Sequence, residues 1–315
     1  MKWFVSSCLL VLLSYSANAA CNLEGWWRFV STDGDIAYDF SLNQRHAVVD
    51  NNRVSYLVSG PGGGGLYFNG ETNTTSESDN CAYAHVPTAG DFSISNVFTV
   101  AAWVFPLGME PFSPIIFRTS DIEKWEDGFG VYIGKDSAVG AYTGKFADET
   151  VVLGGHLTTN RWQHIAFVCN GKTCELYLDG NRVASKTSLR LAPVEVFAPL
   201  GIGTLSGCLS NQPFNGAIAD VRIWTRALNV DDVRDVYQTF LGEAVEPDAD
   251  DDGDRISNRW EIINGLNPRD FSDAGQDPDC DGLSNLREYK LKRDPLTAER
   301  PAGKPLIFSI TATTN

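Results

Sequence analysis

The chain has 315 residues, 43% of them hydrophobic and 21% charged, with a net charge of −15 and an isoelectric point near 4.6. That much apolar material excludes wholesale disorder, and the length allows two domains, one of them a large β-sandwich. The acidity argues against nucleic acid and anionic membranes as partners, because neutralising phosphate needs clustered Lys and Arg.

Residues 1–19 read as a signal peptide. Lys2 precedes an apolar run from Trp3 to Leu13, too short to span a bilayer, and Ala17-Asn18-Ala19 offers the small residues at which a signal peptidase cuts. The alternative is a lipoprotein with Cys21 as the modified residue, although Asn18 stands where such motifs carry Leu. No later stretch is apolar over the roughly 18 residues of a membrane span. The product is therefore expected outside the cell or on its surface. Cys21, Cys81, Cys169, Cys174, Cys208 and Cys280 remain after cleavage, and an even count in an exported chain favours disulfides. Cys169 and Cys174 flank Asn170-Gly171-Lys172-Thr173, a hairpin loop that sets them opposite each other, so these two are expected to pair. The sequence does not choose a pairing for the other four.

From about residue 22 to 227, short apolar or alternating runs are separated by turn residues. Strands are predicted over 65–70, 82–87, 98–106, 115–118, 129–134, 162–169 and 175–179. Asn170-Gly171 and Asp179-Gly180 mark hairpins, since both turns need residues that tolerate positive φ. Phe98, Val100, Ala102 and Val104 fall on one face of their strand and Trp103 and Phe105 on the other, the pattern of a central strand. The first clear helix starts late. Asn229 can cap it, Asp231 and Asp232 suit its first turn, and Val230, Val233, Tyr237 and Phe240 recur at helical spacing, so it is expected to close the sandwich.

Several of these runs resemble laminin-G-like, concanavalin A-like jelly rolls. They are Leu66-Tyr67-Phe68-Asn69-Gly70, Phe98-Thr99-Val100-Ala101-Ala102-Trp103-Val104 and Asn160-Arg161-Trp162-Gln163-His164-Ile165-Ala166, then Leu176-Tyr177-Leu178-Asp179-Gly180 and the closing stretch 214–228. They occur in the family's order over roughly 22–240. The resemblance implies a mainly β fold, a two-sheet antiparallel jelly-roll sandwich, and extracellular recognition of glycans or proteins, often with a structural calcium. It makes Trp162 and Trp224 core residues. Asp39-Phe40-Ser41-Leu42-Asn43 resembles a family segment that, with Asn69, holds such a calcium; a plain turn is the competing reading.

The acid is concentrated near the C-terminus, where residues 246–299 hold 15 Asp and Glu against 7 Lys and Arg. Asp277, Asp279 and Asp281 stand at positions 1, 3 and 5 of a twelve-residue EF-hand-type calcium loop. Gly282 supplies the sharp turn, Leu283 a carbonyl, Asn285 a further oxygen and Glu288 a bidentate carboxylate. An upstream loop is less regular. In the register ending at Glu261 its ligands are Asp250, Asp252, Asp254, the Ile256 carbonyl and Asn258, with Arg255 in place of the glycine. Sliding back by two puts Gly253 at the turn but Arg259 where the last carboxylate belongs. The first register is preferred, since losing a bidentate ligand costs more than a strained turn. The stretch 246–300, with Gly265-Leu266-Asn267-Pro268 and Asp294-Pro295, resembles a bacterial thrombospondin type 3 calcium repeat, which implies calcium-dependent stiffening. A solvated acidic linker is the bland alternative. Residues 306–314 read as one more strand.

Signals for catalysis are sparse. Asp121-Ile122-Glu123-Lys124-Trp125-Glu126 superficially resembles the carboxylate cluster of glycosidases on this fold, but with Asp and Glu exchanged and between strands rather than on one. It reads as a charged loop with an exposed Trp125, which is the candidate to stack on a sugar ring. His46, His85, His156 and His164 are scattered without zinc spacing, and His164 reads as a satisfied core histidine. The sequence thus divides into signal peptide (1–19), jelly roll (20–240), calcium-bound loop-helix segment (241–300) and a terminal strand or the start of a further module (301–315). A non-enzymatic, calcium-binding recognition module for a glycan or an extracellular protein is expected, with a structural spacer as its rival and a polysaccharide-degrading enzyme further behind.

Overall fold

A computed structural model describes residues 22–30, 35–50, 54–57, 60–70, 84–87, 94–120, 124–147, 150–187, 198–205, 213–240 and 249–295, the last apart from 265, 267 and 269. The signal peptide, Cys21, Cys81, Cys208, Asp121, Glu123 and the strand expected over 306–314 lie outside these residues.

β1 (Leu23–Trp27), β2 (Ile36–Ala37), β3 (Ala47–Val49), β4 (Val54–Leu57) and β5 (Gly65–Asn69) open the fold. β6 (Ala84–Val86), β7 (Val97–Pro106), β8 (Pro114–Arg118), β9 (Phe129–Ile133) and β10 (Ala138–Thr143) follow. β11 (Val152–His156), β12 (Gln163–Asn170), β13 (Thr173–Leu178), β14 (Asn181–Thr187), β15 (Leu200–Ile202) and β16 (Asn215–Trp224) complete two antiparallel sheets. The first sheet runs β14-β13-β12-β7-β16-β5-β4, with β1 also paired to β16; the second runs β11-β10-β9-β8-β15-β6-β3-β2. This is a mainly β, two-sheet jelly-roll sandwich.

Alternation along the strands builds the interior. Phe98, Val100, Ala102 and Val104 of β7 face inward with Phe167 and Ile223, against Ile116, Val131, Val139 and Ile202 of the opposite sheet. Each such side chain withdraws enough apolar surface from water to contribute about 1.5–3 kcal/mol. Turn chemistry then sets the register. Asp179 and Gly180 both take positive φ, 49° and 72°, which gives the tight link from β13 to β14 a twist matching its strands. Across β12 and β13, Cys169 faces Cys174 with Cα atoms 4.2 Å apart, and the two form a disulfide.

β7 is central, and its other face is covered too. Trp103 and Phe105 pack there with Trp162, while Ala101 and Trp224 meet the helix α1 (Val230–Thr239) through Val233 and Val236. Both tryptophans expected in the core are buried, yet outside the interior between the sheets. Asn229 caps α1 by accepting from the backbone N–H of Asp231 and Asp232, and Asp232 accepts from the N–H of Asn229 in return. Val230 is exposed and Val236 takes its place, so α1 covers the outer face of the first sheet rather than closing the interior. β16 bulges beside Asp220, which takes φ of 47° and pairs with Arg222 at 2.8 Å in full burial. Trp26 Nε1 donates to the same carboxylate at 2.7 Å, so the pair ties β1 to β16.

His164 is fully buried between Trp103 and Tyr237, with ring centroids 5.4 and 5.9 Å away. Contrary to expectation it is not satisfied: neither ring nitrogen has a hydrogen-bond partner. Burial pulls its pKa down to about 3.

Beyond the sandwich lie α2 (Asn258–Ile263) and α3 (Asn285–Leu291), each preceded by an acidic loop. Trp260 and Tyr289 touch edge to face at 5.4 Å and bring the two helices together. Among the described residues no helix is long and apolar enough to cross a membrane.

Candidate functional site

The two acidic loops correspond position for position: Asp250 with Asp277, Asp252 with Asp279, Asp254 with Asp281, Ile256 with Leu283, Asn258 with Asn285 and Glu261 with Glu288. Their backbones correspond as well. The first aspartate of each accepts from the N–H at the sixth position, Arg255 to Asp250 at 3.0 Å and Gly282 to Asp277 at 2.9 Å. The second accepts from the third, Asp254 N to Asp252 at 3.1 Å and Asp281 N to Asp279 at 3.0 Å. The third accepts from the seventh residue, Ile256 N to Asp254 at 2.7 Å and Leu283 N to Asp281 at 2.8 Å. The sixth residue turns the chain sharply with a positive φ. Gly282 takes 92° without cost, and Arg255 takes 77° despite its Cβ. The backbone bonds of the first loop thus match those of the second when the two are aligned with Glu261 opposite Glu288.

These bonds spend one oxygen of each aspartate and leave the other toward its neighbours, except at Asp250, whose second oxygen also accepts, from the Gly253 N–H at 2.8 Å. Asp250, Asp252 and Asp254 bring carboxylate oxygens within 4.8 Å of one another, as do Asp277, Asp279 and Asp281. Oxygens sharing one calcium at about 2.3–2.6 Å can be no more than about 5 Å apart, so both triads are the right size. One oxygen on each of Asp252, Asp254, Asp277, Asp279 and Asp281, and both on Glu261 and Glu288, are buried with no donor. Glu261 and Glu288 are 0% and 1% exposed. Burial, then the surrounding aspartates, pushes Glu261 up to about 9 and Glu288 up to about 7. Buried oxygens without donors are costly unless a cation faces them, so the donor set fits a hard divalent ion.

Asp273 was missed by the sequence reading. It sits in a single turn of 3-10 helix, Asp273–Gly275, between the loops, and its carboxylate lies within 4.8 Å of those of Asp254 and Glu261. A lone aspartate outside a spaced motif carries no periodic signal; only the fold brings it to the first loop.

Trp125 differs from the exposed residue expected. It is half-buried, stacked on Tyr142 at 5.8 Å and 11°, and edge-on to Phe117 and Phe146. These partners stand on the outer face of the second sheet. Beside them Phe112 stays more than a third exposed and stacks on Tyr132 at 5.9 Å. Glu126 is exposed and paired with Lys145 at 3.0 Å. Asp39 stabilises its turn: its carboxylate accepts from the backbone N–H of Trp26, Ser41 and Arg45 and from the Ser41 hydroxyl, all at 2.8 Å. Cys280, exposed in the second loop, is a free thiol.

Residues 78–234 match the family described as the concanavalin A-like lectin/glucanases superfamily. No curated protein matches the chain. Domain 4 of AbnA, a GH43 extracellular arabinanase from Geobacillus stearothermophilus solved in complex with arabinotriose, is similar at 21% identity and a TM-score of 0.54. That likeness covers 69% of this chain and 98% of that one. The binding domain of Paraclostridial Mosquitocidal Protein 1 is similar at 18% identity and 0.54, over 70% of this chain and 53% of that one. The Trypanosoma rangeli sialidase is similar at 17% and 0.51, over 69% of this chain and 32% of the sialidase. At these identities the likeness is one of fold.

Proposed function

With residues 78–234 a concanavalin A-like lectin/glucanase domain, we propose that the chain is an exported, non-catalytic recognition module that binds carbohydrate with its sandwich and calcium with its C-terminal loops. The observation that carries the calcium half is the set of buried, donorless carboxylate oxygens in two equivalent loops. Asp250, Asp252, Asp254, Ile256, Asn258 and Glu261 would hold one ion, and Asp277, Asp279, Asp281, Leu283, Asn285 and Glu288 the other. Calcium supplies the charge that lets these carboxylates share a small volume. The likeness of the stretch to bacterial thrombospondin type 3 repeats supports the same reading.

For the carbohydrate half the support is the scaffold, whose relative in the arabinanase was solved with arabinotriose and is spanned almost entirely. The aromatic patch around Phe112 and Trp125 is the surface we assign to stacking on a sugar ring. The test is a broad glycan panel, with the mature chain in calcium and again in excess chelator. Specific, saturable binding weakened by Trp125→Ala and Phe112→Ala, with the fold intact, is expected. A blank panel from folded protein overturns the carbohydrate half. One observation favours a second reading, a structural spacer: Trp125 gives a ring face to Tyr142, which leaves less aromatic surface for a ligand.

A further inference from the structure

The two loops are joined by more than the chain between them. The 3-10 turn at Asp273 is fixed to the start of α3 by two hydrogen bonds from Asn285. Its side-chain Nδ2 donates to the Asp273 carbonyl at 2.8 Å, and its backbone N–H donates to the Gln276 carbonyl at 2.8 Å. Asn285 is fully buried, and its Oδ1 has no donor. From the same turn the Asp273 carboxylate, itself buried, reaches those of Asp254 and Glu261 in the first loop. Glu261 is fully buried with both oxygens unpartnered and faces that group, an arrangement that a cation would satisfy. One residue thus faces the first loop with its side chain and the second with its carbonyl.

We propose that Asp273 is a metal ligand supplied to the first loop from outside its twelve residues, and that the Asp273–Asn285 hydrogen bond makes filling of either loop favour filling of the other. The proposal rests on the calcium reading above. An ion in the second loop orders Asn285 at the ninth position, which holds the turn and presents the Asp273 carboxylate to the first loop. By reciprocity, an ion drawn onto Asp273 holds Asn285 in place for the second loop. The imperfect first loop, with Arg255 at its turn, gains most from the added carboxylate, because calcium affinity rises with ligand charge.

Calcium titration of the mature full-length chain against a chromophoric chelator tests this, with circular dichroism as the check on folding. Wild type is expected to bind with a Hill coefficient above one. Asp273→Asn should weaken the first loop on the order of tenfold or more and bring the coefficient down to one. Asn285→Asp keeps an oxygen at the ninth position but loses the amide donor; whatever it does to the second loop's own affinity, it should bring the Hill coefficient down to one. Two independent ions in wild type, or cooperativity that survives both substitutions, would overturn the proposal while the calcium reading stands. No calcium uptake by folded wild-type protein would sink the calcium reading and this inference together.

Discussion

The sandwich and the acidic segment solve the same problem with opposite materials. In the sandwich, two sheets bury a continuous set of apolar side chains, and α1 adds Val233 and Val236 on an outer face. Such a structure is held by its own contacts with water excluded. The segment 249–295 has little to bury: Ile256, Leu266 and Ala274 are its buried hydrophobic residues among those described. What fills its centre instead is Asp and Glu, with Asn258, Glu261, Asp273, Asn285 and Glu288 all buried. Like charges brought together repel, and neither short helix is long enough to persist alone. One region carries its stability in its apolar side chains, while the other, on the calcium reading proposed above, has its cohesion supplied by the ion.

The strongest way to break this contrast is to deny the segment the calcium proposed for it. In excess chelator, residues 249–295 are expected to lose most of their ordered structure while the sandwich keeps its strands and its Cys169–Cys174 disulfide. Hydrogen exchange mapped along the chain would separate the two regions. Fast exchange confined to the segment is the predicted pattern. Protection unchanged by chelator would mean that the segment is self-supporting, and an equal loss in both regions would mean that the two halves fold as one unit.

Acid sharpens the comparison from the other side, through His164. Its folded pKa, pulled down to about 3 by burial, lies below the roughly 6.5 of an unfolded histidine. Between those values the unfolded chain binds a proton that the fold refuses, so stability falls as pH drops through that window and is unaffected above it. The slope is about 1.4 kcal/mol per pH unit. His164→Phe should remove that slope from the sandwich's unfolding free energy between pH 6 and 4. Comparing the two proteins cancels the contribution of the acidic loops. Parallel curves would show that His164 titrates normally in the fold.

How much of this was legible beforehand follows from where each signal lives. Strand alternation, the Asn170-Gly171 and Asp179-Gly180 turns and the Asn229 cap are local, and each sits within a residue or two of its place in the structure. The two equivalent acidic loops were readable because their carboxylates recur at fixed spacing in a short stretch. Asp273 was invisible because it joins its partners only once the turn is pinned by Asn285. Trp125 was misjudged because Phe117, Tyr142 and Phe146 meet it only when the second sheet and its loops assemble. For His164 the alternation forecast burial, but hydrogen-bond satisfaction depends on neighbours from β7 and α1 that the strand pattern does not name.

The smallest expected effect asks whether the two loops are equivalent in kind. Arg255 and Gly282 occupy the same turn, with φ of 77° and 92°, and both donate to the first aspartate of their loop. A residue with a Cβ is disfavoured there by roughly 1–2 kcal/mol, whereas glycine loses more chain entropy on folding, which offsets about half of that. Arg255→Gly also removes a positive charge from the rim of the first site. Both consequences point the same way: calcium affinity of the first loop should rise by roughly threefold to tenfold, with the second loop changed less, as read by calorimetric titration. A fall in affinity would mean that the Arg255 side chain contributes a contact worth more than the strain it imposes. The first loop would then be a site tuned by its arginine rather than a strained copy of the second.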